Sequence, residues 1–207
     1  QFDEHERKFT YNGTQLIHSK VIASYLRQLL RNDLQYAPFR MEGMEQDVRE
    51  MMEIDTPQGK LALQIGGTID RLDSKGDTLR IVDYKTGGTP KTPENIEQLF
   101  TPADNRPNYI FQTFLYAAIL CRKQSLKVAP SLLYIHRAAS ESYSPVIEMG
   151  APRQPKVPVN NFAFFEDEFR ERLHGLLQEI FSQEETFSQT EDTRKCEYCD
   201  FRSLCKR

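Results

Sequence analysis

Apolar residues recur near the start of the chain at positions 17, 21, 22, 25, 26, 29 and 30. Steps of three and four predict a helix from about Leu16 to Leu34. Thr14, in Asn12-Gly13-Thr14, is expected to cap its first turn, and Pro38 bars its continuation. The pattern then changes period. Residues 39–54 (FRMEGMEQDVREMMEI) read as an extended stretch able to form a strand, and Thr56-Pro57-Gln58-Gly59 as a turn. Lys60 to Ile65 alternates apolar with polar, as a strand does. It runs directly into Gly66–Gly88, GGTIDRLDSKGDTLRIVDYKTGG. That stretch reads as two short strands, one ending at Asp70 and the other spanning Thr78 to Lys85. Asp73-Ser74-Lys75-Gly76-Asp77 is expected to form the turn between them.

After Lys85 the segment Thr-Gly-Gly-Thr-Pro-Lys-Thr-Pro is a loop. A short helix is expected around residues 96–100, followed by a polar loop with Pro102. A loop of this length beside a site can gate or guide a substrate. Helical spacing resumes at Pro107, a favoured first-turn residue, and lasts to about Lys123. Residues 131–136 (SLLYIH) read as a buried strand, and residues 138–158 as a loop. A last helix is expected from about Asn161 to Gln183. Its stripe of Phe162, Phe165, Phe169, Leu173, Leu176, Leu177 and Ile180 belongs to a core rather than to a base-stacking platform.

Composition changes this picture little. The chain has 207 residues, 39% of them hydrophobic and 28% charged, enough for one substantial core. It holds no apolar run long enough to span a membrane. QFDEHERKF lacks the apolar segment of a secretory signal, so a cytoplasmic protein is expected, and a start at Gln1 reads as a fragment of something longer. The net charge of −3 does not suit a protein coated for nucleic acid, although a cleft can concentrate positive charge locally. No G-x-x-x-x-G-K-[ST] segment is present, so an ATP-driven motor would lie elsewhere.

The candidate chemistry sits on the central hairpin. Alternation puts Asp83 and Lys85 on one strand face, and antiparallel pairing brings Asp70 near them. Two carboxylates at one strand end repel each other unless a cation joins them. Mg²⁺ or Mn²⁺ takes such oxygen ligands and keeps several waters. A neighbouring lysine can orient one of those waters, a combination suited to metal-assisted phosphodiester hydrolysis. The competing reading is an exposed hairpin with salt-bridged surface charges. Gln112 and Tyr116, four residues apart, share a helix face and carry groups able to reach a phosphate, a base edge or Lys85. A rim Gln and Tyr also occur on helices without any chemical role. Cys121 reads as a small buried thiol. Three of the four cysteines, Cys196, Cys199 and Cys205, crowd the last twelve residues. Thiolates so spaced suit zinc or an iron–sulfur cluster, the alternative being a frayed end with free thiols.

G-x-I-D-R (Gly67, Asp70, Arg71), I-V-D-Y-K-T-G (Asp83, Lys85, Thr86, Gly87) and Q-T-F-L-Y-A (Gln112, Tyr116) together resemble the RecB-type branch of the PD-(D/E)XK nuclease superfamily. The C-terminal C-E-Y-C-D-F-R-S-L-C resembles the iron–sulfur staple of its AddB-like members. These motifs span Gly67 to Cys205, about two-thirds of the chain. The resemblance implies an α/β, restriction-endonuclease-like domain with a mixed central sheet flanked by helices. It would cover residues 1–190, with a cysteine tail at 191–207. It implies a Mg²⁺- or Mn²⁺-dependent deoxyribonuclease, more an exonuclease than an endonuclease. Its substrate would be single-stranded DNA or DNA ends, and it would be the nuclease domain of a helicase–nuclease in recombination repair. Asp70, Asp83 and the backbone carbonyl of Tyr84 would hold the metal, Lys85 would serve the attacking water, and Gln112 and Tyr116 would align the DNA. Cys196, Cys199 and Cys205 would hold a 4Fe-4S cluster whose fourth ligand lies outside this chain.

Gly13 to His18 matches the family's G-T-x-x-H, which supplies a metal-ligand histidine, but the C-P-x-x-F-x-Y segment that usually precedes it is missing. His18 is therefore either a ligand or a helix-surface histidine. Glu45 stands where the family often carries a glutamate before the hairpin, and the plainer reading there is a solvated strand charge. The other reading of the whole chain is a catalytically inactive module that binds DNA and carries a cluster. Retention of Asp70, Asp83 and Lys85 together argues against it.

Overall fold

In the computed structural model, which describes residues 11–103, 105–140, 142–182 and 188–207, the first helix, α1, runs from Gly13 to Tyr36. Asn12 rather than Thr14 caps it. Its side chain accepts from the Gln15 amide at 2.9 Å, and its own amide donates to the Gln15 side chain at 3.1 Å. This reciprocal box gives partners to the Asn12 and Gln15 amides, which have no carbonyl to reach within the helix. The helical period expected here is present, but the helix buries only one side. Tyr25 and Leu29 pack toward the sheet, whereas Ile17, Ile22, Leu26, Leu30 and Leu34 remain exposed.

Four strands form one sheet in the order β1-β2-β3-β4. β1 (Arg40–Thr56) and β2 (Gly59–Lys75) make a long antiparallel hairpin closed at Thr56↔Gly59. β3 (Thr78–Lys85) pairs antiparallel with the end of β2, and β4 (Lys127–Tyr134) pairs parallel with β3. A parallel neighbour requires a crossover, and α2 (Asn108–Lys123) supplies it, with Pro107 just outside its first turn. β4 starts four residues before the expected strand, and Ile135–Arg137 is a 3₁₀ turn. β5 (Glu148–Met149) and β6 (Val157–Pro158) pair within the following loop. The last helix begins as a 3₁₀ turn at Phe162–Phe164 and continues as α3, Glu166–Phe181.

The predicted mixed α/β architecture is thus present, with a sheet between two helical layers. Alternation along β3 assigns its side chains to those layers. Leu79 and Ile81 join the core under α2 with Phe114, Phe162 and Phe169, while Val82 and Tyr84 face α1. The aromatic stripe of the last helix is core as expected. Phe162 and Phe169 are fully buried and lie edge-on or tilted to Phe100, Phe111 and Phe114 at centroid distances of 4.9–6.2 Å. Arg170 ties α3 to the sheet through a two-pronged ion pair with Glu50 at 2.9 and 3.0 Å.

The turn of the central hairpin differs from expectation. β2 extends to Lys75, so only Gly76 and Asp77 turn the chain, with Gly76 at φ +61°. Two-residue hairpin loops need such left-handed backbone. Asp73 is therefore a strand residue with no solvent exposure, and its register partner is Arg80. Arg80 grips it with bonds of 2.9 and 2.7 Å, and Arg71 approaches the same carboxylate at 2.9 Å. Burial of an acid in a strand is tolerable because both guanidiniums are buried with it.

Gly66 stands opposite Arg49 at φ +142°. A β-carbon there would run into the Val48 carbonyl and lie 2.9 Å from the Arg49 Cα. Gly66→Ala is expected to cost at least about 2 kcal/mol, read as a lower urea midpoint. Gly175→Ala, mid-helix in α3 with open space around it, should instead gain about 0.5–1 kcal/mol.

Candidate active site at the strand fork

The β2–β3 ladder closes at Arg71↔Val82. One further step would set Asp70 opposite Asp83, two like charges on facing positions, which is unfavourable. The strands separate there instead. The Tyr84 amide turns to the Asp70 carboxylate and donates to its Oδ2 at 2.8 Å. Asp70 is half-buried and Asp83 almost fully buried, so the fork holds two acids within reach of each other's field.

Burial pushes the Asp83 carboxyl above its ordinary value; the Lys85 ammonium pulls it back, and the charge of Asp70 adds to the rise. Lys85 Nζ lies 2.5 Å from Asp83 Oδ2 and forms an ion pair with it. One ammonium against two neighbouring acids leaves negative charge at the fork uncompensated, and burial makes that costly. A hard divalent cation, which Asp70 and Asp83 would hold, would remove that cost and the repulsion between the acids. The carboxylate pair therefore fits the divalent cation that the family implies.

Lys85 is held from three sides. Besides Asp83, it donates to Gln112 Oε1 at 3.4 Å, and its ammonium sits 4.3 Å from the centroid of the Tyr109 ring, within cation–π range. Gln112 in turn donates to the Tyr116 hydroxyl at 2.9 Å. Tyr116 is buried against Gly67, where an added β-carbon would come within 2.7 Å of its hydroxyl. Gly67 thus lets α2 approach β2 closely enough to set this chain of contacts. The structure brings Asp70, Asp83, Lys85, Gln112 and Tyr116 into one group.

Arg71 ties the back of the fork to α1. Its Nη1 donates to both Asp33 oxygens at 2.9 and 3.0 Å and to the Tyr84 hydroxyl at 3.1 Å, and its guanidinium lies 4.8 Å from the centroid of the Phe39 ring. Asp33 and Tyr109 are absent from the sequence motifs. Tyr109 had a usable signal, since it stands three residues before Gln112 and so on the same helix face. Asp33 had none, because its partner is remote in sequence.

Other expected site residues lie elsewhere. His18 is exposed on α1, and among the described residues no three His, Cys, Asp or Glu side chains form a group able to hold a metal. His18 is therefore not brought to the aspartate pair. By the same criterion Cys196, Cys199 and Cys205 are free thiols that do not converge on a common metal position. Glu45 is exposed with φ +48°. Cys121 is a partly buried thiol, pushed up to about 11 by burial, as its apolar context suggests. No helix among the described residues is long and apolar enough to cross a membrane.

Compared with known proteins, residues 1–206 match the family model of the PD-(D/E)XK nuclease superfamily. No curated protein matches the chain.

Proposed function

Because the chain belongs to the PD-(D/E)XK nuclease superfamily, we propose that it is a metal-dependent deoxyribonuclease whose active site is the fork holding Asp70, Asp83 and Lys85. The observation that carries this reading is the buried Asp83 carboxylate. It is set beside a second acid whose charge opposes its own, with a single ammonium at 2.5 Å. A divalent cation held by Asp70, Asp83 and the Tyr84 carbonyl would polarise the scissile phosphate and lower the pKa of a bound water.

The chain's own residues supply the rest. Hydrolysis forms a bond from water oxygen to phosphorus, breaks one phosphorus–oxygen ester bond and passes a proton to the leaving alkoxide. Lys85 places a fixed positive charge where the phosphoryl oxygens gain negative charge, and such preorganised charge lowers the barrier. Gln112 holds Lys85 in place through its carbonyl oxygen and is itself held by Tyr116. The buried wall of β3 and α2 limits access of bulk water, which strengthens these interactions.

Finer parts of the reading rest on the resemblance of the three motifs to RecB-type nucleases. These are exonuclease action, DNA ends or single strands as substrate, and a helicase in the same polypeptide or complex. The iron–sulfur reading of Cys196, Cys199 and Cys205 rests on their spacing, and no part of the proposed chemistry runs through them.

End-labelled single- and double-stranded DNA incubated with the protein tests the reading. Cleavage should appear with Mg²⁺ or Mn²⁺, vanish with a chelator, and fall by about two to three orders of magnitude in Lys85→Ala. Binding without metal-dependent cleavage would favour the non-catalytic DNA-binding module instead. Cleavage indifferent to both metal and Lys85 would remove the fork from the chemistry.

A further inference from the structure

Beside the fork lies a cavity of about 330 Å³, bordered by Gly88, Lys91, Arg106, Tyr109 and Tyr134, within the size range of small-molecule sites. We propose that it is a nucleobase subsite, which takes the unstacked base of a single DNA strand next to the scissile phosphate and stacks it on Tyr109. This inference rests on the nuclease reading and names the form of its substrate.

Four observations carry it. First, Tyr109 does not behave as a core aromatic. It is 44% exposed, unlike the phenylalanines that fill the space under the same helix. Its ring lies against the Lys85 ammonium at 4.3 Å, so a base on this ring would sit beside the phosphate that Lys85 serves. Secondly, Gly88 borders the rings of Tyr109 and Tyr134. A β-carbon there would lie 3.4 Å from the Tyr109 Cε2 and 3.9 Å from the Tyr134 Cε1. With φ +79° the position favours glycine, so no side chain from position 88 stands between the cavity and the exposed Tyr109 ring.

Thirdly, the opposite wall is fixed. Lys91 Nζ donates to the Asn105 and Arg106 carbonyls at 2.7 and 3.2 Å, which closes the loop on itself before a base arrives. Pre-ordering of this kind lowers the entropy cost of binding. Fourthly, the charge suits a strand. The chain is acidic overall, yet Lys85, Lys91 and Arg106 gather here. Arg106 uses its Nε on Asn108 at 2.8 Å and has no acidic partner among the described residues, which leaves its terminal nitrogens for a phosphate.

A duplex keeps its bases stacked inside and could offer this ring only backbone, whereas a single strand can turn a base outward. Every base has a π-face, so the subsite would tolerate any sequence.

Equilibrium binding in a chelator, where nothing is cut, separates the base from the backbone. The probes are labelled oligo-dT and an abasic strand of the same length, with wild type, Tyr109→Phe and Tyr109→Leu. Wild type and Tyr109→Phe should bind oligo-dT alike. Tyr109→Leu should bind it about one to two orders of magnitude more weakly, the worth of one stacked base. The abasic strand should bind wild type and Tyr109→Leu equally. Comparing two strands on the same protein keeps a folding defect from imitating the result.

Unchanged affinity of Tyr109→Leu for oligo-dT would overturn the subsite, as would equal losses for both strands. If cleavage still required Lys85, the nuclease reading would stand without the subsite. A wild-type protein that binds neither strand would overturn the subsite, and one that also fails to cut with added metal would overturn the nuclease reading.

Discussion

Asp83→Ala is expected to lower metal-dependent DNA cleavage by about three orders of magnitude, the largest effect of any single substitution. The loss is this large because the carboxylate has two tasks that no neighbour can take over. It would supply a metal oxygen, and charge stabilisation by a bound cation is worth several kcal/mol in such reactions. It also fixes Lys85, whose remaining partners are a long bond to Gln112 and a ring face. Asp83→Asn separates these roles, since it keeps the shape but loses the charge. Activity should fall as far as in the alanine variant, yet the melting temperature without metal should not fall. Burial already disfavours the charged form of Asp83, and removing that charge relieves a cost in the folded state. Titration with Mn²⁺ gives a readout independent of cutting. The wild-type melting temperature should rise with the cation, because a ligand of the folded state stabilises it, and that of Asp83→Asn should not. Full cleavage by Asp83→Asn would displace the proposed metal site.

Arg71→Ala should have the largest effect on stability, about 3–5 kcal/mol. The Arg71 side chain is 3% exposed and lies between Asp33, the fully buried Asp73 and the Tyr84 hydroxyl. Its removal leaves Asp73 to Arg80 alone, strips Asp33 of its only ion pair among the described residues, and opens a void beside Phe39. Urea denaturation should show a lower midpoint. Arg71→Lys should recover only part of the loss, because a single ammonium nitrogen cannot reach Asp33 and the Tyr84 hydroxyl as Nη1 does and Asp73 as Nη2 does. A midpoint close to wild type would mean that Arg80 and solvent satisfy these acids without it.

Much of this was legible in the sequence for definite reasons. The alternation of Thr78–Lys85 fixes Asp83 and Lys85 on one face, and the i,i+4 spacing of Gln112 and Tyr116 fixes the second wall of the site. Periodicity located all three helices and the sheet. The turn was misplaced because Asp73, Ser74 and Lys75 have turn-like composition. What overrides composition there is a cross-strand ion pair, Asp73 with Arg80, and its register becomes visible only once the strands are paired. The capping of α1 was missed by two residues because Asn12 and Thr14 are both good caps, and the Gln15 side chain decides between them. Tyr109 was passed over because its neighbours on α2 are core, and its exposure depends on where the helix ends relative to the sheet. For His18 and the tail cysteines, spacing named candidates, but convergence in space is a separate condition that spacing cannot impose.

The two-residue turn at Gly76-Asp77 makes the hairpin a counting device. Strand side chains change face at every residue, so the turn settles by parity which atoms of β2 meet which atoms of β3. A single inserted or deleted residue between Asp70 and Asp83 would present the wrong face and exchange a carboxylate for Ile69 or Val82 at the fork. The loop between Lys85 and α2 carries no such parity, so strand register does not set its length. In the lineage of this chain the interval between the two acids should therefore stay fixed in length.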